Sequence, residues 1–408
     1  MTQFQAERAS TRMRNGSPIS DVDPFEADFL TDPSPYHAEL RNAGPVVWLE
    51  RYQVWGMARH AEVYSALQDW QTYSSAAGVG LDDFRKTKPW RTPSRLLEAD
   101  PPIHTRTRSV MSRILSPAVM RRLRDEWQVQ ADALIDDLLA RGTFDAVKDL
   151  AIVFPLRVFP DAVGLIPEGR ENLLPYGNMV FNSFGPRNAI FLQSIKEAET
   201  VVTWILDQCR REVLRPGGFG AQVFEALDRG ELEPEDAPIL VRAMLNAGLD
   251  TTISGIGSAV HAFALYPHEW RKLQENPKLL RQSFDEILRW ASPVQTFFRT
   301  TTRDVEVGGT MIPDGSKVLL FLGSANHDPR KWDIPGDFNI ERSTTGHVGF
   351  GTGIHGCVGQ MVARMEAEVI LSAMLQRIKS IEIVGQPTLQ LNNTLRSFAT
   401  MPVRVTAA

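Results

Sequence analysis

The chain has 408 residues, 43% hydrophobic and 23% charged, the proportions of a soluble globular protein. A net charge of −5 argues against nucleic acid as a partner, and two cysteines far apart, Cys209 and Cys357, exclude a paired-cysteine zinc site and a disulfide scaffold. No apolar run nears the roughly 20 residues of a membrane span, and the first 23 residues lack the apolar core of a secretory signal, so the expectation is a flexible N-terminal tail (1–23), one domain over 24–408, no membrane association and a cytoplasmic location.

In chain order, "PVVWLE" and "YQVWGMA" read as two short strands, with a helix following from about His60. From about Pro117 to Leu265 helical patterns dominate, broken at "FPDAVGLIP", "FGPRN" and "RPGGFG". The stretch from Glu235 to Tyr266 predicts a single long helix, apolar round much of its surface, as befits a helix running through a core. "PKLLRQSFDEILRWASP" predicts a second, stopped by Ser292 and Pro293. The period then changes. "FFRTTTRDVEVGGTMIPDGSKVLLFLG" alternates like strands and turns at Pro313-Asp314-Gly315. The last helical pattern, "GQMVARMEAEVILSAMLQRI", reads as amphipathic. The expected fold class is mainly α with small β-sheets near both ends.

Three stretches carry chemistry. "GFGTGIHGCVGQ", Gly349 to Gln360, sets Cys357 among five glycines. Glycine lets a backbone approach something closely and take turns closed to other residues, so a thiolate on this loop suggests a flat partner lying against it. "AGLDTT", Ala247 to Thr252, puts an acid and an alcohol at the centre of an apolar helix, where they are costly unless used. Gly248 weakens that helix by about 1 kcal/mol relative to Ala, so a local bulge is expected there. "FDEILRW" places Glu286 and Arg289 on one helix face, and by itself that pair would be an ordinary surface ion pair.

Together these stretches resemble the motifs of the cytochrome P450 family. Phe350, Gly351, Gly353, His355, Cys357 and Gly359 match its F-G-x-G-x-H-x-C-x-G loop, Ala247 to Thr251 its [AG]-G-x-[DE]-[TS], and Glu286 with Arg289 its E-x-x-R. The likeness runs in order through nearly all of residues 24–408. It is greatest to bacterial, ferredoxin-dependent members that oxidise para-substituted benzoates, through "KPWR", "VFNSFGP", "PGGFGA", "SPVQTFFRTTTR", "GHVGFG" and "NNTLR". One departure is His327 in "SANHDP", where an arginine is usual.

The resemblance implies a P450-like fold with a long central helix over haem b (iron protoporphyrin IX), and Cys357 as the axial thiolate on the iron. No C-x-x-C-H is present, so no thioether bonds would hold the haem. The loop amides and the following helix N-terminus would lower the thiol pKa, and a thiolate ligand favours O–O cleavage. By the same resemblance Asp250 relays protons from solvent and Thr251 steers them to the bound oxygen. His104, Arg108, Arg299 and His355 contact the haem propionates, and Arg342 joins Glu286 and Arg289 in a buried structural triad.

For the substrate, the resemblance implies that Arg91 and Ser94 hold a carboxylate, that Leu97, Phe181, Phe184, Val294 and Phe297 surround the ring, and that Ala247 lies above the haem. An unpaired arginine in an apolar pocket would select for an anion. Ala243 and Asn246 stand where those relatives carry serines, leaving the anion end poorer in hydroxyl donors. The implied activity is insertion of one oxygen atom from O2 at the para substituent of a benzoate-type acid, by O-demethylation or hydroxylation. The same chemistry on a neutral methoxy- or alkylphenol is the alternative. Electrons would come from NAD(P)H through a ferredoxin reductase and a [2Fe–2S] ferredoxin, docked on the arginine-rich residues 101–124 of a monomer. Two other classes fit less well. A nucleophilic Cys357–His355 enzyme lacks an orienting third group, and a non-catalytic haem sensor has no need of a proton relay.

Overall fold

The computed structural model describes residues 12–408. Val47–Leu49 and Val54–Met57 pair antiparallel, and the rings of Trp48 and Trp55 meet edge to face with centroids 4.9 Å apart. Valine and tryptophan suit a pleated surface that is buried on both faces, as these strands are. They sit mid-way in a seven-stranded sheet whose order is Met13–Arg14, Ser17–Ser20, Val47–Leu49, Val54–Met57, Lys317–Phe321, Thr296–Thr301, Tyr73–Ser74. The late alternating stretch therefore returns to the N-terminal strands, with Lys317–Phe321 parallel to Val54–Met57 and antiparallel to Thr296–Thr301. Gly315 turns the chain between them with a φ of +73°, as the Pro-Asp-Gly signal requires.

The expected flexible tail at 1–23 is corrected from residue 12 onward. Met13–Arg14 and Ser17–Ser20 form a hairpin that adds to this sheet, and the buried Ser17 hydroxyl donates to the Val46 carbonyl at 2.6 Å. Backbone pairing rather than an apolar pattern holds this segment, so hydropathy carries little sign of it. Residues 1–11 of the expected tail lie outside the described residues.

Helices make up most of the remainder. The expected single helix over 235–266 is two, Asp236–Ala247 and Asp250–Leu265, interrupted at Gly248 and Leu249. Its second half is buried without a break from Thr252 to Val260, packing against Leu280–Ala291 and Gln360–Arg377. Leu280–Ala291 ends where Ser292 takes a left-handed φ of +45° and Pro293 cannot continue the helix. Gln360–Arg377 departs from the expected amphipathic pattern. Its buried residues include the consecutive run Val369, Ile370 and Leu371, because it is enclosed by Pro117–Arg141, Leu280–Ala291 and Asp250–Leu265. No helix among the described residues is long and apolar enough to cross a membrane.

Candidate active site

One internal cavity of about 270 Å³ lies among helices Ile103–Ile114, Leu173–Asn182 and Asp236–Ala247, strand Thr296–Thr301 and the glycine loop. Cys357 lines it. The loop closes on itself through Cys357 N–H to the Phe350 carbonyl at 2.8 Å and Gly356 N–H to the Gly353 carbonyl at 3.1 Å. Gly351 and Gly353 hold φ values of +65° and +70°, and a Cβ on Gly353 would stand 2.3 Å from the Leu67 carbonyl oxygen. Burial pushes the Cys357 thiol up, while the Gly359 and Gln360 amides and the Arg108 and Arg364 guanidiniums pull it down. The amides lower it as expected above, and burial outweighs them, so the net direction in the chain alone is upward. Amides and guanidiniums do not outweigh desolvation, so holding this sulfur as a thiolate calls for a cation placed directly against it. Cys209 takes no part. It is buried outside the cavity, its Sγ lies 3.2 Å from the Ile205 carbonyl, and burial pushes it up to about 12.

Beside the loop stand the four residues expected to meet carboxylates. Arg299 is 3% exposed, donates within the described residues only to the Phe298 carbonyl, and is pulled down by burial to about 10. Arg108 donates to the Gly356 carbonyl, and neither arginine has a carboxylate partner among the described residues. The rings of His104 and His355 meet edge to face at 4.5 Å; Nε2 of His104 is buried without a hydrogen-bond partner, and that of His355 lies 3.8 Å from the Asp100 carboxylate, beyond hydrogen-bond distance. Burial pulls His104 down to about 4, and lowers His355 as well. Two guanidiniums without a carboxylate partner among the described residues, and two imidazole nitrogens of which that of His355 also faces Asp100, form a donor set for an anion with several oxygens. With Cys357 facing the same cavity, this set fits a haem with its two propionates.

The E-x-x-R pair is no surface ion pair. Glu286 and Arg289 are both 0% exposed and joined twice, at 2.7 and 2.8 Å. Arg342 Nε donates to the same carboxylate at 3.1 Å, as does the Asn339 amide, and Arg289 also reaches the carbonyls of Asn326, Pro335 and Asp337. The expected triad is thus assembled and its hydrogen bonds are filled. His327 sits nearby as a neutral imidazole, hydrogen-bonded to the Gly323 carbonyl and pulled down by burial to about 4.

Asp250 and Thr251, adjacent in sequence, face different ways. Thr251 lines the cavity and donates its hydroxyl to the Ala247 carbonyl at 2.9 Å. Asp250 does not line it; its Oδ2 is closed off from solvent without a partner, and burial raises it to about 8. The helix break between them and Ala247 is where Gly248 allows the Phe159 ring to approach; a Cβ there would lie 2.3 Å from that ring. Close packing joins helix weakness as the reason for this glycine.

Every expected substrate residue lines the cavity: Arg91, Ser94, Leu97, Phe181, Phe184, Ala243, Asn246, Ala247, Val294 and Phe297. The expectation that Arg91 is an unpaired charge is corrected. Its two Nη atoms hold the Glu98 carboxylate at 2.8 and 2.9 Å, with side chains only 10% and 1% exposed. The Ser94 amide donates to the same carboxylate at 2.8 Å. A cation that sequence reading passed over, Arg242, lines the cavity instead with no carboxylate partner among the described residues, donating to the Thr92 carbonyl. Asn246 Oδ1, one helical turn further along the chain, is buried and unpartnered among the described residues. Glu366 was also missed: both its oxygens lack partners and burial raises it well above the usual carboxylate range. Burial of an ionisable residue within an apolar helical pattern is the only signal that could have marked these residues.

Half of the six arginines of the arginine-rich stretch are neutralised. Arg106 pairs with Glu233 and Asp236, Arg113 with Glu231 and Arg124 with Glu368, while Arg108 points to the loop. Arg121 and Arg122 are exposed and form no ion pair among the described residues.

Comparison with known proteins agrees with the geometry. A family model described as "Cytochrome P450" matches residues 220–406. The chain is 54% identical over 394 residues, 96% of each chain, to "Cytochrome p450 CYP199A2" of Rhodopseudomonas palustris. It is 30% identical to the beta-dihydromenaquinone-9 omega-hydroxylase of Mycobacterium tuberculosis over 95% of this chain and 79% of that one. Among solved structures, cytochrome P450 CREJ in complex with (4-ethylphenyl) dihydrogen phosphate superposes with a TM-score of 0.84 at 26% identity, covering 94% of this chain and 99% of that one.

Proposed function

Since the chain belongs to the cytochrome P450 family and is a monooxygenase of that family, we propose that it oxidises the para substituent of a small aromatic acid, by O-demethylation of a methoxy group or hydroxylation of an alkyl group. One observation carries this reading. The cavity walls are apolar and aromatic at Phe181, Phe184, Val294 and Phe297, and they include Arg242, which has no carboxylate partner among the described residues. A ring fits the walls and an anion fits that guanidinium. The relative that binds (4-ethylphenyl) dihydrogen phosphate holds a ligand of the same design, a para-alkylated ring with an anionic group.

Cys357 would hold the haem iron, and Arg108, Arg299, His104 and His355 its propionates. Bound haem supplies the iron at which dioxygen is reduced and its O–O bond cleaved, which a thiolate ligand favours. The chain's own residues do the rest. The aromatic walls exclude water and fix the ring, and the Ala247 backbone lies at the helix break beside Thr251. Thr251 presents a hydroxyl to the cavity, and Asp250, raised to about 8, carries a proton at neutral pH that it can pass on. Arg121 and Arg122 would meet the acidic [2Fe–2S] ferredoxin that brings electrons from NAD(P)H.

A neutral methoxy- or alkylphenol is the second reading, favoured by the pairing of Arg91 with Glu98, which already neutralises the arginine expected to hold a carboxylate. Titrating the haem spin shift with 4-methoxybenzoic acid and with its methyl ester separates the two. Tighter binding of the acid, lost in Arg242→Ala, is expected. Equal or tighter binding of the ester would favour the phenol. Arg91→Ala is the poorer variant here, because it leaves Glu98 buried and unpaired.

A further inference from the structure

Gly177 lies in the middle of helix Leu173–Asn182, between the buried residues Tyr176 and Met179. Its φ is not positive, so conformation does not require glycine there, and glycine inside a helix is a cost. Space does require it. A Cβ on Gly177 would stand 1.8 Å from Asp250 Oδ2 and 2.8 Å from its Cγ, distances no real contact reaches. The Asp250 carboxyl therefore occupies the volume that any other residue at 177 would fill. Within that notch Oδ2 has no hydrogen-bond partner, and Asp250 forms no ion pair among the described residues. An ionised carboxylate in such a place would be strongly disfavoured, and burial alone raises this one to about 8. Thr251 meanwhile faces the cavity from which Asp250 is turned away.

We propose that Gly177 is a positioning residue for proton delivery: the notch it leaves in helix Leu173–Asn182 is the seat in which the Asp250 carboxyl rests between turnovers, away from the cavity. This rests on reading Asp250 as the relay acid. A methyl group at 177 would expel the carboxyl from its seat while leaving the substrate cavity unaltered.

The test uses the full-length, haem-loaded ferric enzyme. The infrared difference between wild type and Asp250→Asn assigns the carbonyl stretch of the protonated carboxyl. In Gly177→Ala that band is expected to shift down or vanish. Turnover should fall on the order of tenfold, with the affinity read from the spin shift unchanged. The double variant guards against simple misfolding: Gly177→Ala should lower the thermal midpoint when Asp250 is present and leave it unmoved or raised in the Asp250→Ala background, where only the helix preference of alanine remains. An unmoved band, or an equal loss of thermal midpoint in both backgrounds, would overturn the proposal. Wild-type turnover by Asp250→Asn would instead overturn the relay reading on which it rests, and the band would tell the two failures apart.

Discussion

Glu286 and Asp250 are both carboxyls on helices of the central core, the first wholly buried and the second with Oδ2 closed off from solvent, yet their surroundings are opposite. Glu286 meets two guanidiniums and a backbone amide, and its partners in turn bind the carbonyls of the 326–337 segment. Asp250 meets the bare backbone of a glycine and has no partner for Oδ2. A carboxyl whose hydrogen-bonding capacity is filled joins segments distant in sequence and is best left as it is. One left unfilled costs the fold something, and it persists where the chain needs a proton held in readiness.

The comparison breaks first at the paired end. Glu286→Ala strands Arg289 and Arg342, and the loss in unfolding free energy should be about 3–5 kcal/mol. Denaturant titration of the haem-loaded protein checks this, and a loss no larger than that of a surface pair would undo the structural role given to the triad. At the unpaired end the effect should fall on rate. Asp250→Asn is expected to slow turnover by roughly tenfold or more while the fold persists, measured as NADH consumed in the presence of saturating ferredoxin.

Thr251 sharpens the contrast, because it faces the cavity that Asp250 does not. Thr251→Ala should keep NADH consumption but divert electrons into hydrogen peroxide, so the ratio of product to NADH falls while the rate does not. Unchanged coupling would remove Thr251 from proton delivery. The smallest effect is expected far from both carboxyls. Arg121→Glu should slow reduction by ferredoxin and flatten its salt dependence, with the substrate spin shift untouched. The same reversal at Arg113 should do less, since Glu231 already neutralises that arginine.

The sequence was most legible where chemistry and spacing coincide within a few residues. The loop around Cys357, the Glu286–Arg289 pair and the Asp250–Thr251 step each lie in one short stretch, and the cavity gathers the residues assigned to it. Features that depend on partners elsewhere in the chain were not legible. Nothing near Gly177 indicates that its missing side chain makes room for a carboxyl 73 positions later. Arg91 looked like a free cation because the acid that neutralises it, Glu98, lies past a turn and inside the core. The hairpin of Met13–Arg14 with Ser17–Ser20 is held by backbone bonds that leave little hydropathy signal. The thiol of Cys357 is a matter of balance: local amides pull it down, and burial, which no local pattern reveals, pushes it further up.

The most direct test of the difference between the two carboxyls is the pH dependence of stability in wild type and in Asp250→Asn. Asp250 titrates at about 8 in the folded chain against 3.8 for the ordinary side chain. Between those values the folded state keeps a proton that the unfolded state has released, so wild-type stability should fall as pH rises, by about 1.4 kcal/mol per pH unit. Asp250→Asn should lack this fall, matching wild type most closely near pH 4 and gaining on it steadily towards pH 8. Parallel curves for the two proteins across that range would mean that Asp250 ionises normally in the folded state, and the contrast with Glu286 would be wrong.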